Sequence, residues 1–576
     1  MTYKGYVKMT NKLGFFIFLG MMGWYIFSLD IFSAHNDPYG DRDTRRDYIE
    51  NVYSYGVSAV HPLAVEAGMQ VLENGGNAVD AAIAISFVLG VVEPYGSGLG
   101  GGGTMLIYDP DKGVTAFDYR DAAPFNEQWT LHDAAIPGMV SGMETIHQNF
   151  GTMEFADLME PAIRYSEDGF VVSPLLSKQI AQGQRYVKLG EEEREVFYPD
   201  GKAIEAGEIL VQTELAETLR RIQSEGAKGF YEGETAKAMI EKFHFTEEDF
   251  QRYEVHEREP ATGTYGDYTV YSGPAPTSGV TLIQILQMTE YLDVEKLMEE
   301  KNEALYIHLI SEVVKEAYRD RLFTLGDPEF EEVDHEQLTS TERTEKLLNN
   351  ISSEVFENME ITAYSESDLF DSRGEINDSR NTSHFVVIDS NGRMVSATHS
   401  LGEFFGSGEY VNGFFMNNQR ANFSETEGSI NESLGGKRPR SFIAPTIFEK
   451  DGQAVLGIGS PGGRRIPALL AQTILQVMHG KDDVTGEALT LNEAIQQYRF
   501  YTEDNIVYLE RDLDKEVKEQ LREMGYSTIV HQSPLFYGGI QALWLSENQE
   551  GEMVLYGGAD DRRQGYWDIE VKDKVE

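Results

Sequence analysis

The chain contains no cysteine. Disulfides, thiol catalysis, cysteine-ligated zinc and a lipoprotein-type cysteine anchor are therefore excluded. Histidines are few, 12 in 576 residues, and no His-Glu-x-x-His occurs. A zincin-type metal site is unsupported, and no metal or other cofactor is implied. Basic residues are scarce as well. Lys plus Arg is 48 against 96 for Asp plus Glu, a formal net charge of −48. So acidic a surface makes nucleic acid an unsuitable partner for the molecule as a whole. It favours solubility and reads as adaptation to a salty or alkaline setting rather than as a cation site. No internal repeat is present.

What remains is a globular composition, 41% hydrophobic and 25% charged, with ample core material. One uncharged, mostly apolar run, Leu13 to Leu29, ends at Asp30. It sits at the short end of what spans a bilayer and exceeds a usual signal-peptide core. Lys4, Lys8 and Lys12 precede it with no acid among residues 1–12, which places the N-terminus inside and the rest outside. The expected organisation is a cytoplasmic basic tail (1–12), a transmembrane signal anchor (13–29), a charged linker (30–50) and an extracellular domain on the cell membrane. A signal peptide ending at Ser33-Ala34 is the alternative; the bulky residues before it stand against that.

In the exported part, Gly56 to Val60 reads as a strand. His61 to Leu89 reads as helix broken at Asn74-Gly75-Gly76-Asn77, with Ala78 to Leu89 apolar almost all round and hence buried. The run Gly98 to Gly103 matches Gly-x-Gly-x-x-Gly, but a strand follows it where a dinucleotide site needs a helix, so that reading is rejected. No Gly-Lys-Ser/Thr follows, so it is not a P-loop. Roughly Phe155 to Asn350 reads as mainly helical, interrupted at Pro274 to Gly279. From Thr382 the pattern turns to strands, with a turn at Ser390-Asn391-Gly392. Ala454 to Ile458 is a further strand, then Gly459-Ser460-Pro461-Gly462-Gly463, then a helix from Ile466. Hairpin strands with long helices suit a layered α+β domain.

The most informative stretch is Asn381-Thr382-Ser383-His384. A polar segment, about Thr362 to Arg380, leads up to it and alternating apolar residues follow. Cleavage of the Asn381–Thr382 bond would leave the Thr382 hydroxyl and a free α-amine on one residue. Such an amine has a pKa of about 7.7–8.0 and serves as a base near neutral pH. N-terminal threonine is an activated nucleophile.

Taken in order, several motifs resemble the γ-glutamyltranspeptidase family. They are Asn74 to Ala82, the glycines to Gly103, Asp118-Tyr119-Arg120, Ile136-Pro137-Gly138, Leu325-Gly326-Asp327-Pro328, Thr382-Ser383-His384, Asn417-Asn418-Gln419, Lys437-Arg438-Pro439 and Gly459 to Gly463. The resemblance runs from about Val57 to the C-terminus. Within it, Gly413 to Gln419, Tyr537 to Ala542 and Asp561 to Gly565 resemble the branch that processes capsular poly-γ-glutamate. The family resemblance implies an αββα sandwich of the N-terminal-nucleophile hydrolase type, self-cleaved into a large fragment (51–381) and a small one (382–576) that stay associated. Thr382 would form a γ-glutamyl ester, resolved by water or a cell-wall amine. Gly462 and Gly463 would offer N–H groups to the oxyanion. Ser400 matches a hydroxyl residue that hydrogen-bonds the nucleophile. Arg120 matches the arginine holding the substrate α-carboxylate, which its planar fork suits; an ion pair with Asp118 or Asp121 is its other reading. Gln419 matches a pocket residue, but equally suits a turn cap.

The chain also departs from the family's glutathione-using members. They carry Asp where this chain has Asn422, paired serines where it has Ser441-Phe442 after Arg440, and a substrate-contacting Asn where it has Gly402. Inside a γ-glutamyl polymer each α-nitrogen is already acylated, so a buried carboxylate opposite it would lack a counter-charge. Neutral Asn422 suits such an amide. Arg438, Arg440, Arg464, Arg465, Arg562 and Arg563 are expected to form a local basic patch for the polyanion; for Arg464 and Arg562, pairing with acids is the other reading. The alternatives are a glutathione γ-glutamyltransferase and a non-catalytic capsule-binding scaffold.

Overall fold

The computed structural model describes residues 48–50, 54–125, 133–355, 380–547 and 553–571. Alternating apolar residues from both ends of the chain build two seven-stranded antiparallel sheets. The first runs Tyr566–Val571, Ser54–Ala59, Arg380–Ile388, Met394–Glu403, Gly102–Asp109, Gly113–Asp118, His256–Arg258. The second runs Tyr48–Glu50, Met553–Ala559, Gln541–Glu547, Gln453–Gly459, Thr446–Lys450, Tyr268–Ser272, Ala261–Tyr265. Their inner faces meet through buried Leu106, Val386, Met394, Ile447, Leu543 and Leu555, the interdigitation that holds sandwiches together.

Helices cover both outer faces. Pro62–Glu73 and Ala78–Val92 lie on the first sheet, and Gly279–Tyr291, Glu303–Thr324 and Ile466–His479 on the second. The layers are therefore helix, sheet, sheet, helix. The break at Asn74 to Asn77 is a true helix boundary. The Asn77 side chain accepts from the N–H groups of Val79 and Asp80, and Asp80 accepts from the Asn77 N–H at 2.9 Å, a reciprocal cap. Ala78–Val92 can be apolar on every side because helices cover it on one side and strands on the other.

The middle segment is mainly helical, as expected, and His256–Arg258, Ala261–Tyr265 and Tyr268–Ser272 are strands within it at the edges of both sheets. One expectation needs correction. The last residues assigned to the linker, Tyr48–Glu50, pair with Met553–Ala559 as an edge strand. Among the described residues no helix is long and apolar enough to cross a membrane. The expected anchor and tail, and residues 356–379 before the expected cut, lie outside the described residues.

Candidate active site

Thr382 lies in a strand buried in the middle of the first sheet, only 2% exposed. The strand does not begin there, as the sequence had suggested: it starts at Arg380 and runs unbroken through the Asn381–Thr382 bond. The pairing is irregular at that bond. Asn381 lies opposite Gly402 and Thr382 opposite Ser400, so the register shifts between them. Such bulges re-aim side chains and cluster beside active sites. The Thr382 hydroxyl points to Ser400 Oγ at 3.4 Å, and Ser400 Oγ accepts the Gly402 N–H at 2.9 Å. Arg563 Nη1 donates to the Thr382 carbonyl at 3.2 Å.

The residue after Thr382 faces the other way, into a buried polar cluster. Ser383 donates to Glu93 Oε2 at 2.7 Å and accepts from the Ser97 hydroxyl at 3.1 Å. The Tyr95 hydroxyl donates to Glu93 Oε1 at 2.5 Å. Burial raises the Glu93 carboxyl above its usual range, against the opposing pull of Arg563 and of these two bonds. His384 bonds Thr398 Oγ1 at 2.9 Å and is held, chiefly by burial, to about 3. It is neutral, and too weak a base to serve Thr382.

Gly462 and Gly463 have φ of 144° and 59°, a region that side-chain-bearing residues rarely adopt. The turn Gly463–Arg465 packs against the strand of Thr382, so the glycine pair and the threonine share one neighbourhood.

Arg120 forms the ion pair with Asp118. Its Nε and Nη2 grip both oxygens of Asp118, at 3.0 and 2.9 Å, and Nη1 donates to the Pro439 carbonyl at 2.8 Å. Arg258 and Arg438 also approach Asp118, each at 3.7 Å, and the arginines hold that carboxyl well below its usual range against the cost of burial. One fork edge of Arg120 is thus already taken; a guanidinium has five N–H groups in all. Asp121 pairs instead with Asn417.

Gln419 and Asn422 stand at the two ends of one short turn, Gln419–Asn422, with Asn422 Nδ2 donating to Gln419 Oε1 at 2.6 Å. Both readings of Gln419, pocket residue and turn residue, are compatible with this place. Buried Asn431 ties that turn to Arg440: its Nδ2 donates to the Asn422 carbonyl and its Oδ1 accepts the Arg440 N–H, each at 2.8 Å. Ser441 is half-buried and holds Ser278 through its carbonyl at 2.9 Å. At Gly402 (φ 96°) a Cβ would stand 2.1 Å from Asn418 Oδ1, so the Asn418 amide occupies that space.

The expected surface patch of arginines does not form. Arg438 is buried among the carbonyls of Arg120 and Glu254, Arg464 pairs with Glu503, Arg465 bonds the Phe536 carbonyl, and Arg562 grips Glu510 and Asp560. Arg440 Nη1 donates to the Leu322 carbonyl at 2.9 Å. Buried carbonyls and carboxylates need donors, and these arginines supply them. Arg563 bonds the Thr382 carbonyl.

Sequence reasoning overlooked Glu93, Asn417 as a clamp, and Asn431. Asn417 holds Gly100, Asp121, Ala135 and Gln419 through one buried amide. Glu93 had a readable signal: an acid closing an otherwise apolar helix, at the end where negative charge is disfavoured.

A family model described as Gamma-glutamyltranspeptidase matches residues 64–568. The chain is 42% identical over 531 residues to the capsule biosynthesis protein CapD proenzyme of Bacillus anthracis, covering 92% of each. It is 32% identical over 551 residues to a glutathione hydrolase proenzyme of Bacillus subtilis, covering 88% of this chain and 90% of that one. The solved cephalosporin acylase of Bacillus halodurans shares the fold, with a TM-score of 0.75 at 24% identity over 91% of this chain and 97% of that one.

Proposed function

Because the chain belongs to the gamma-glutamyltranspeptidase family, we propose that it is a self-processing γ-glutamyl transferase and hydrolase whose donor is poly-γ-glutamate. The likeness to a capsule biosynthesis proenzyme over 92% of both chains carries this reading. The neutral Asn422–Gln419 pair supports it, since an acylated α-nitrogen needs a hydrogen bond and no counter-charge. The glutathione hydrolases among the relatives keep glutathione as the second donor.

In this reading, Thr382 Oγ1 first adds to the Asn381 carbonyl carbon. The C–N bond breaks, leaving an ester on the threonine and a free α-amine; water then releases the Asn381 carboxylate. The amine becomes the base for turnover. It takes the hydroxyl proton as Oγ1 attacks a γ-carbonyl and passes that proton to the departing amide nitrogen. Gly462 and Gly463 stabilise the oxyanion with N–H groups. Ser400 orients the hydroxyl. Arg120, with the N–H groups that Asp118 and Pro439 leave, and Arg563 face the glutamyl carboxylates; Gln419, Asn422, Arg440 and Ser441 form the donor's surroundings. Water or a cell-wall amine resolves the ester. Leu13 to Leu29 anchors the enzyme with this domain outside the cell.

The test is a purified wild-type chain beside Thr382→Ala. Wild type should cut between Asn381 and Thr382 and should cleave poly-γ-glutamate far better than glutathione. Thr382→Ala should stay whole and inactive. A variant that still cuts without added protease removes Thr382 from the role, and a preference for glutathione overturns the polymer as donor.

A further inference from the structure

The chemistry at Thr382 uses one face of its strand. The other face rests on Glu93, Tyr95, Ser97 and Ser383, for which that chemistry has no use, joined by Arg563, all buried. We propose that Glu93 is a positioning residue for the nucleophile, holding Thr382 towards Ser400 by gripping Ser383 from behind and, through Tyr95, steadying the arginine that holds the Thr382 carbonyl. The inference rests on Thr382 being the nucleophile.

Successive strand residues point to opposite faces. Whatever fixes the Ser383 side chain therefore fixes the roll of the strand, and with it the direction of Thr382 Oγ1. The bulge at Asn381 and Thr382 loosens the regular ladder at this very point, so the direction must be set by side-chain bonds. Glu93 supplies them. One carboxylate oxygen receives Ser383 at 2.7 Å and the other Tyr95 at 2.5 Å. Tyr95 also bonds Arg563, which donates to the Thr382 carbonyl at 3.2 Å. Ser97 closes the ring with a 3.1 Å bond to Ser383. The peptide after the nucleophile is thus held at its carbonyl and at the next side chain.

Stability alone does not account for this acid. It ends the apolar helix Ala78–Val92, where the dipole disfavours negative charge, and burying a charge costs free energy unless it is paired. A hydrophobic residue would close that helix at lower cost. It could not hold Ser383.

Glu93→Gln keeps the size of the side chain but cannot accept at both ends, and it removes the charge facing Arg563. Ser383→Ala leaves Glu93 with Tyr95 and Arg563 but removes the grip. Misplacing a reacting group by about 1 Å can cost about 100-fold, so both variants should lower the self-cleavage rate and kcat by at least about tenfold. KM should stay within about twofold and Tm near wild type, because neither residue touches substrate. The double variant should be little worse than either single one, the mark of one shared interaction. Ser383→Thr restores the hydroxyl and should recover most of the rate.

Wild-type cutting and turnover in Glu93→Gln and Ser383→Ala would overturn the proposal. So would loss of rate only in step with Tm and KM, or a Ser383→Thr no better than Ser383→Ala. Thr382→Ala is run alongside. If it stays uncut while Glu93→Gln behaves as wild type, the positioning role fails and the nucleophile stands; if it cuts, the nucleophile assignment itself fails.

Discussion

Asn422 donates to Gln419 and is held from behind by Asn431, so its amide is fixed before any substrate arrives. In a γ-glutamyl polymer the matching donor nitrogen is an amide N–H, which this neutral group can accept. In glutathione it is an ammonium. A hydrogen bond to a charged group contributes about 1.5–3 kcal/mol. Asn422→Asp should therefore shift the ratio of kcat/KM for glutathione over polymer upwards by about tenfold to a hundredfold, at about 1.4 kcal/mol per decade. Parallel rate measurements on the two donors check this, and an unchanged ratio removes Asn422 as a discriminator. Phe442 follows Ser441 in the chain. Its ring lies 3.8 Å beneath the Arg321 guanidinium and against Tyr318, so it packs the wall behind Ser441.

Two elements meet at the strand of Thr382 with almost no clearance. Gly459 ends the strand Gln453–Gly459, and a Cβ there would stand 2.2 Å from the His384 ring. His384 is two residues from Thr382 and shares its side of the strand. Gly459→Ala should push the ring, and the strand with it, towards the helices. Overpacking of this kind costs about 1–3 kcal/mol. The variant should show a lower urea midpoint with an unchanged m-value, and slower appearance of the two fragments on a gel. Normal cutting at a normal midpoint would mean that the two sheets yield more easily here than the distance implies.

Across the whole molecule, the two fragments that the proposed cut would leave are woven through both sheets. Phe385 to Ile388 of the small fragment pair with Gly56 to Ala59 of the large one, and the strand Met394–Glu403 of the small pairs with Gly102–Asp109 of the large. In the second sheet Thr446–Lys450 pairs with Tyr268–Ser272. Separation would open both ladders and expose the shared core between them. The cut protein should therefore elute as one species and part only in denaturant. Fragments that separate on gel filtration in plain buffer would contradict this. The charge of −48 does not oppose the association, because the ladders and core are short-range while surface repulsion is screened beyond about 8–10 Å in physiological salt.

The sequence by itself determined whatever is local in the chain. The break at Asn74 to Asn77 is turn and cap chemistry within a few residues. The buried helix after it follows from uninterrupted apolar periodicity. The threonine that could become a nucleophile, and the glycine pair before the Ile466 helix, are each legible in a short motif. Only the tertiary structure decided which charges meet. Arg120 turned to Asp118, and Arg562 to Glu510 and Asp560, so the basic patch read from nearby motifs dissolved into buried pairs. Glu93 reached Ser383, far along the chain, and the strands at 261–265 and 268–272 were settled by a sheet edge that needed covering. The reason is physical. Pairing energy depends on distance and local dielectric, and a strand's on its neighbours; neither is written in the spacing of residues along a chain.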